Sequence, residues 1–276
     1  MRIGVTAPAG RVEPALAGRI QALAETLFPG RAPEVWFHPQ CFLSSGHFAG
    51  DDRTRAEAFL AVANDPAFDA LWCARGGYGS NRPAAAILEG LTPAARDKIY
   101  LGYSDIGFLL AGLYRAGFER VAHGPVARDL DRAGGEEAAG RALRWLVDGA
   151  ADALEPSLAQ DKRPAAAFNL CVLSHLLGTP LEPDLSGHVL MLEDVSEHQY
   201  RIDRSLFHVT SQASIRKLAG LRLGRLNDAP ENDPDFGMSD EAIARHWCEL
   251  SGIPYLGRAD IGHDIHNKVV PFGPGR

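Results

Sequence analysis

Hydrophobic residues follow two alternating periods in the first half of the chain. Short apolar runs occur at residues 3–7, 35–38, 69–74 and 99–101, and runs of this length predict buried β-strands. Between them, apolar residues recur every three or four positions, which is typical of an amphipathic helix. The first helical face comprises Leu16, Ile20, Leu23 and Leu27. Strands that alternate with helices predict βαβ units and a mostly parallel sheet.

The second half shows the same alternation less regularly. Two further apolar runs predict strands, the first of which ends in the acid Glu193, and Ser239 is placed to cap a later helix. Two short strands are predicted near the end, at residues 254–256 and 268–272. Residues 149–164 are rich in Ala, Asp, Pro and Gln and have no clear period, which is typical of a linker. We therefore expect an N-terminal α/β domain at residues 1–148 and a smaller, mixed α/β domain at residues 165–276.

Composition narrows the choice of partners and compartment. The chain has 276 residues, a formal net charge of −7 and a pI near 5.8, which argues against nucleic acid as a partner. No apolar run approaches the roughly 18 residues of a membrane span, and the apolar run at the N-terminus is too short for a signal segment. The four cysteines are widely spaced, which favours a reducing compartment. These features predict a cytoplasmic protein that binds neither nucleic acid nor membrane.

Ser104 lies where a strand is expected to give way to a helix. Gly102 permits a tight turn after the strand, and apolar residues at helical spacing begin at Ile106. A hydroxyl at such a turn can stand clear of the sheet beside unpaired backbone N–H groups. Ser104 is therefore a candidate nucleophile. On this stretch alone the favoured interpretation is that Ser104 is the N-cap of the helix, because the spacing from Gly102 through Ser104 to Gly107 is longer than the Gly-x-Ser-x-Gly turn of serine hydrolases.

The segment Arg-Gly-Gly-Tyr-Gly-Ser-Asn-Arg at residues 75–82 offers backbone N–H groups to a ligand. Adjacent glycines can form a phosphate cradle or an oxyanion hole. The phosphate cradle is the weaker interpretation, because the segment lacks the residues of a P-loop and the spacing of a dinucleotide fingerprint. Ser80 is a second possible nucleophile with a poorer setting. The candidate substrate-binding residues here are Arg75, Tyr78 and Arg82, although arginines more often pair with structural acids.

A serine nucleophile needs a base within hydrogen-bond reach. His263 is the candidate base, because Gly262 lets the chain turn directly before it and present the imidazole from a loop. His266 forms a His-x-x-His pair with His263, but no cysteine or acidic helix accompanies the pair. We therefore expect neither a metal nor a cofactor.

The base in turn needs a carboxylate that orients it. Glu193 follows an apolar strand and is the first candidate, with Asp194 and Glu197 as close competitors. An acid at a strand end is also common at a solvated rim. The residues by themselves leave this choice open.

These segments together resemble one family, the LD-carboxypeptidases, which are cytoplasmic serine peptidases of cell-wall recycling and include microcin-immunity amidases. The resemblance rests on the segments Phe48-Ala-Gly-Asp-Asp-Arg-Thr-Arg55, Ala74-Arg-Gly-Gly-Tyr-Gly-Ser-Asn-Arg82, Leu101-Gly-Tyr-Ser-Asp-Ile106, His123-Gly-Pro125, Leu192-Glu-Asp-Val-Ser-Glu197 and Gly262-His263. They occur in the family's order over nearly the whole chain. Departures are Ala167-Phe168 before Asn169-Leu170, where the family usually has two glycines, and a chain end three residues after Gly273.

The resemblance implies a catalytic triad of Ser104, Glu193 and His263, and an oxyanion hole formed by the backbone N–H groups of Gly77 and Asp105. It also implies an N-terminal, mostly parallel α/β sandwich like that of class I glutamine amidotransferases, with a smaller C-terminal domain. The implied reaction is hydrolysis of the amide between an L-centre diamino acid and the terminal D-alanine of a murein tetrapeptide. The alternative within the family is an amidase that cleaves acyl-sulfamoyl nucleotides. Members of the family are commonly homodimers.

Overall fold

Two β-sheets organise the computed structural model, which describes residues 1–274. The strands are β1 (Arg2–Thr6), β2 (Glu34–Phe37), β3 (Ala70–Cys73), β4 (Ile99–Gly102), β5 (Val121–His123), β6 (Ala165–Asn169), β7 (Val189–Val195), β8 (Gly220–Asn227), β9 (Tyr255–Arg258) and β10 (Val270–Pro271). The α-helices are α1 (Ala15–Leu27), α2 (Asp52–Ala63), α3 (Ala84–Gly90), α4 (Gly107–Arg115), α5 (Gly135–Asp148), α6 (Leu170–Leu176), α7 (Gln199–Ser211) and α8 (Asp240–Ser251). Within residues 1–274, no helix is long and apolar enough to cross a membrane.

The first sheet has the strand order β2-β1-β3-β4-β5-β10 and is parallel except at β10. Its central strand β3 is buried throughout, and successive side chains point to opposite faces. Leu71 packs in the cluster that contains residues of α2, α3 and α4, whereas Trp72 packs with residues of α1 and α5. Helices therefore cover both faces, as the alternating pattern predicts for a parallel sheet.

The second sheet has the order β6-β7-β8-β9 and is entirely parallel. Helices α6, α7 and α8 pack on one face of it through Leu173, Leu206 and Ile243. The same apolar cluster continues into the first half of the chain, where Phe168 lies beside Gly107 at the start of α4. The α/β fold class predicted from the sequence is confirmed.

The last strand does not stay with the second sheet. After β9 the chain returns to the first sheet, where Val270 and Pro271 of β10 pair with His123 and Ala122 of β5. The residues predicted as a linker, 149–164, contain two short 3₁₀ turns, and Leu154 forms a bridge with Val269. This segment is therefore packed beside the returning chain. Its role as a boundary between domains stays a prediction.

Two helices start at a capping side chain, one of which, Ser239, is expected from the sequence. The Asp51 carboxylate accepts a hydrogen bond from the Thr54 N–H at 2.7 Å at the start of α2. The Ser239 hydroxyl accepts one from the Ala242 N–H at 3.2 Å at the start of α8. Each bond satisfies an N–H that the helix itself leaves unpaired.

Candidate active site

Ser104 lies two residues beyond the end of β4, in a backbone conformation that few residues other than glycine adopt. Its φ is +61°, which costs an L-residue on the order of 1–2 kcal/mol. A 3₁₀ turn over Ser104–Ile106 leads from this position into α4, and Ile106 occupies the N-cap position of that helix. Ser104 is therefore not the N-cap that was the other interpretation of the motif. Strain of this kind is found at functional sites, where the surrounding structure enforces it.

The glycine-rich segment makes room for the serine. A Cβ added to Gly76 would lie 2.8 Å from Ser104 Cβ and 3.0 Å from Ser104 Oγ. Gly77 has a φ of +99°, in the region that favours glycine. Both glycines line the cleft onto which Ser104 opens.

Asp105 joins the glycine-rich segment to the serine turn. Its buried carboxylate accepts hydrogen bonds from the Gly79 N–H at 3.1 Å and the Ser80 N–H at 2.8 Å. The Ser80 hydroxyl donates to the Asp105 carbonyl at 2.6 Å. Burial raises the pKa of Asp105, although these N–H donors oppose the shift. Ser80, the alternative nucleophile, is thus buried and occupied in a structural bond.

His263 and Glu193 form a hydrogen-bonded pair. Glu193 lies within β7 and is fully buried, and its Oε2 meets Nδ1 of His263. Because an ionised carboxylate only accepts hydrogen bonds, Nδ1 carries the proton and Nε2 is left free to accept one. The backbone N–H of His263 donates to Asn227 Oδ1 at 2.7 Å, which ties the loop to the end of β8.

The structure brings Glu193 to the imidazole and directs its two competitors elsewhere. The Asp194 carboxylate accepts hydrogen bonds from Asn169 Nδ2 at 2.8 Å and the Cys171 N–H at 3.0 Å. Glu197 contacts Arg201 at 3.4 Å. The expectation that β7 ends at Glu193 is wrong, because the strand continues to Val195. The pairing register between β7 and β8 shifts next to Glu193. Irregularities of this kind often redirect side chains at active sites.

One cleft receives both the serine and the histidine. Ser104 and His263 line a cavity of about 420 Å³, although they come from opposite halves of the chain. The Tyr103 ring lies 4.8 Å, centroid to centroid, from the His263 ring and forms part of the same wall. The expected nucleophile, base and orienting carboxylate are therefore brought together at this cleft.

Charge at the cleft favours a protonated imidazole. Burial alone would lower the pKa of His263, but the charge of Glu193 and its hydrogen bond raise that pKa overall. His123, also buried near Glu193, has no carboxylate bonded to it, and burial lowers its pKa to about 4. The site therefore distinguishes the two histidines, since only at His263 does stabilisation of the charged form outweigh the effect of burial.

The candidate substrate-binding residues are placed unequally. Arg75 lines the cleft. Arg82 forms an ion pair with Asp52 at 2.9 Å, and Tyr78 stands exposed with its ring 6.1 Å from that of Phe48. Neither Arg82 nor Tyr78 is among the residues that line the cleft.

Four charged lining residues were not found from the sequence, and all follow the His-Gly-Pro segment. They are Arg128, Asp129, Asp131 and Arg132. Tyr103 donates its hydroxyl to Asp129 Oδ1 at 3.0 Å, and Arg132 Nε donates to the same oxygen at 3.0 Å. The one available signal was this run of four charged residues soon after the His-Gly-Pro segment.

His266 does not join His263. It is exposed, and its Nδ1 lies 3.6 Å from Glu137. Among residues 1–274, no group of three or more His, Cys, Asp or Glu side chains is arranged to hold a metal ion.

The fold is a two-sheet α/β architecture, and its cleft is lined by a serine and by a histidine that is bonded to a buried carboxylate. A model of the LD-carboxypeptidase N-terminal domain matches residues 3–124, and a model of the LD-carboxypeptidase C-terminal domain matches residues 166–274. The chain belongs to the LD-carboxypeptidase family, and it is accordingly a hydrolase of the peptidase class. The resemblance inferred from the sequence motifs is confirmed.

Individual relatives agree with this assignment. A putative carboxypeptidase of Synechocystis sp. is 32% identical over 238 residues, covering 83% of this chain and 75% of that protein. The murein tetrapeptide carboxypeptidase of Pseudomonas aeruginosa is 27% identical over 247 residues, covering 82% of this chain and 78% of that protein. The crystal structure of muramoyltetrapeptide carboxypeptidase from Oxalobacter formigenes superposes with a TM-score of 0.77 at 22% identity, covering 98% of this chain and 93% of that one. This last likeness concerns the fold.

Proposed function

We propose that this protein is a serine-type LD-carboxypeptidase that removes the terminal D-alanine from murein tetrapeptides. The bond cleaved is the amide between the L-centre of the diamino acid and D-alanine. The observation that carries the proposal is the single cleft lined by Ser104 and by His263, whose Nδ1 is bonded to the buried Glu193. Family membership and the names of relatives that act on murein peptides support the choice of substrate.

In the acylation step, Nε2 of His263 takes the proton of Ser104 while Oγ attacks the scissile carbonyl carbon. Glu193 holds the imidazole in the required tautomer and stabilises the imidazolium that forms. The backbone N–H groups of Gly77 and Asp105 are assigned to the oxyanion. The short bonds from the glycine-rich segment to Asp105 support this role, because they keep the two N–H groups on one rigid unit.

Collapse of the tetrahedral intermediate expels the leaving group. His263 gives its proton to the amine, D-alanine departs, and the shortened peptide stays esterified to Ser104. Water then attacks the ester with His263 again as the base, which regenerates the hydroxyl. The raised pKa of His263 supports this cycle, because the imidazolium must persist long enough to protonate the amine.

We further propose that the enzyme works in the cytoplasm and as a homodimer, as the family resemblance implies. The four cysteines are unpaired in the described part of the chain, which is compatible with a reducing compartment. Sedimentation of the purified protein measures the oligomeric state, and fractionation of cells measures the compartment.

Release of D-alanine from murein tetrapeptide tests the proposed function. Replacing Ser104 by alanine is expected to lower kcat by about 10⁴-fold or more, because the nucleophile and its base act as a unit. Ser211→Ala, at an exposed serine at the end of α7, is the matched control and should retain full activity. Near-normal D-alanine release by the Ser104→Ala protein would refute the assignment. Faster hydrolysis of a glutamyl-sulfamoyl nucleotide by the unmodified protein would instead favour the amidase activity.

A further inference from the structure

We infer that Arg75 and Arg128 form a two-guanidinium pocket that binds the C-terminal carboxylate of the substrate and so makes the enzyme an exopeptidase. This inference rests on the proposed function and assigns its substrate-recognition element. Both arginines line the cleft that holds Ser104 and His263. Arg128 in particular lies outside the motifs on which the family resemblance was based.

The backbone holds the two arginines side by side. The Arg128 N–H donates to the carbonyl of Ala74 at 2.9 Å, directly before Arg75 in the chain. Arg75 lies across Gly10, where an added Cβ would be 3.2 Å from its Cδ and Nε. The Arg75 Nη1 group donates to the Arg11 carbonyl at 3.2 Å. The two side chains therefore start from adjacent, fixed points on the cleft wall.

The charges around the cleft do not balance at these arginines. Asp129 pairs with Arg132 at 3.0 Å, and Asp131 pairs with Arg19 at 2.6 Å. Glu193 is taken by His263. Within residues 1–274, no carboxylate forms an ion pair with Arg75 or Arg128 (each acid on the cleft wall already has its own cation).

The electrostatic effect of this arrangement is visible at Arg75. Burial and the neighbouring positive charges of Arg128 and Arg11 lower the pKa of the Arg75 guanidinium. Two like charges held together without a counter-ion are unfavourable in the free protein. An anionic ligand group placed between them relieves that repulsion, which gives the cleft a preference for an anion.

The chemistry of the reaction selects a carboxylate as that anion. In a peptide that loses its last residue, only the amide nitrogen and one α-carbon separate the scissile carbonyl from the terminal carboxylate. A cation that recognises this carboxylate must therefore share the cavity of the nucleophile, as Arg75 and Arg128 do. Guanidinium groups also match the planar, two-oxygen shape of a carboxylate better than an ammonium does.

Two peptides that differ only at the terminus test the pocket: a murein tetrapeptide that ends in D-alanine, and the same peptide that ends in D-alaninamide. Calorimetric titration into the Ser104→Ala protein measures binding without turnover. The acid is expected to bind at least about 10-fold more tightly than the amide. Adding Arg128→Gln should weaken binding of the acid by about 10- to 100-fold and leave binding of the amide nearly unchanged. Arg128→Lys should recover part of the preference for the acid, because lysine restores the positive charge but not the two-pronged donor geometry of a guanidinium.

Arg53→Gln is the matched control, since Arg53 is an exposed arginine on α2 that pairs with Glu57. It should leave both affinities unchanged. Equal binding of acid and amide would overturn the inference, as would failure of both peptides to bind or an equal loss for both in the Arg128→Gln variant. Failure of the proposed function gives a different result: the unmodified enzyme releases no D-alanine, whereas the acid preference of the Ser104→Ala protein and its loss in Arg128→Gln persist.

Discussion

Replacing Gly76 by alanine isolates the positioning of the nucleophile from its chemistry. The new methyl group would lie 2.8 Å from Ser104 Cβ, 3.0 Å from Ser104 Oγ and 3.4 Å from the Tyr103 carbonyl oxygen. Carbon atoms pack best at about 3.5–4.0 Å, so the serine or the glycine-rich segment must move by about 1 Å. Ser104 has little freedom to adjust, because its φ of +61° is fixed by the turn that contains it.

A displacement of this size is expected to lower kcat/KM by about 100-fold, the effect of misplacing a reacting group by about 1 Å. The overlap should also reduce the free energy of unfolding by about 1–3 kcal/mol, as overpacking usually does. Both quantities are measurable on one preparation, the first by D-alanine release and the second by urea denaturation. Because Gly76 is not among the glycines with positive φ, alanine can adopt its backbone conformation and the effect is one of space.

Gly18→Ala provides the matched control. Gly18 lies within α1, and an added Cβ there meets nothing within 4 Å. Its replacement should raise the free energy of unfolding by about 0.5–1 kcal/mol through better helix propensity and leave kcat/KM unchanged. If the Gly76→Ala protein retained activity within about threefold of the unmodified enzyme, the role of Gly76 in seating Ser104 would be wrong.

Three further perturbations follow from contacts at the site and at one helix end. Acylation requires neutral His263, so kcat/KM should fall as pH falls through the raised pKa of this histidine. Glu193→Gln removes the main charge that raises this pKa, so the acid limb of the pH profile should move to lower pH. An acid limb that stays in place would contradict the pairing of His263 with Glu193. The same raised pKa makes His263 stabilise the fold fully below its ordinary pKa of about 6.5, a contribution lost as pH rises through the folded-state value. Asp105→Asn turns an amide donor toward the Gly79 or Ser80 N–H, so urea denaturation should show a free energy of unfolding lower by about 1–3 kcal/mol, together with lower activity. An unchanged denaturation midpoint would contradict the role of Asp105 in fixing the glycine-rich segment. Ser239→Ala should cost about 1 kcal/mol with full activity, whereas a loss of activity would show that this cap affects the site.

Local sequence signals predicted the positions of many elements and singled out the candidate reacting side chains that the structure places at one cleft. The change from an apolar run to helical spacing placed Ser104 at a strand–helix turn, and the structure has this turn. The same signals could not separate Glu193 from Asp194, which are adjacent acids on one strand. Only the three-dimensional contact distinguishes them, since one meets His263 and the other meets Asn169.

Features that depend on contacts between distant segments could not be predicted from the sequence. Arg128 is marked in the sequence only as one of four clustered charged residues, and its place in the cleft follows from a backbone bond to Ala74, 54 positions earlier in the chain. The predicted strand at residues 268–272 is only two residues long as β10, and its partner β5 lies in the other half. A strand so short has too little pattern to reveal which sheet it joins.

The return of β10 to the first sheet also determines how the proposed catalytic base, His263, is supported. The loop that carries His263 is fastened on one side to Asn227 of the second sheet and on the other to β5 of the first. Arg141 of α5 adds a further contact to this loop, since it donates hydrogen bonds to the carbonyls of Ile265 at 2.7 Å and Asn267 at 3.1 Å. The loop that carries the imidazole is therefore held by residues from both halves of the chain. A chimera that takes one half from a relative must therefore also take its matching segment after β9, which contacts both halves.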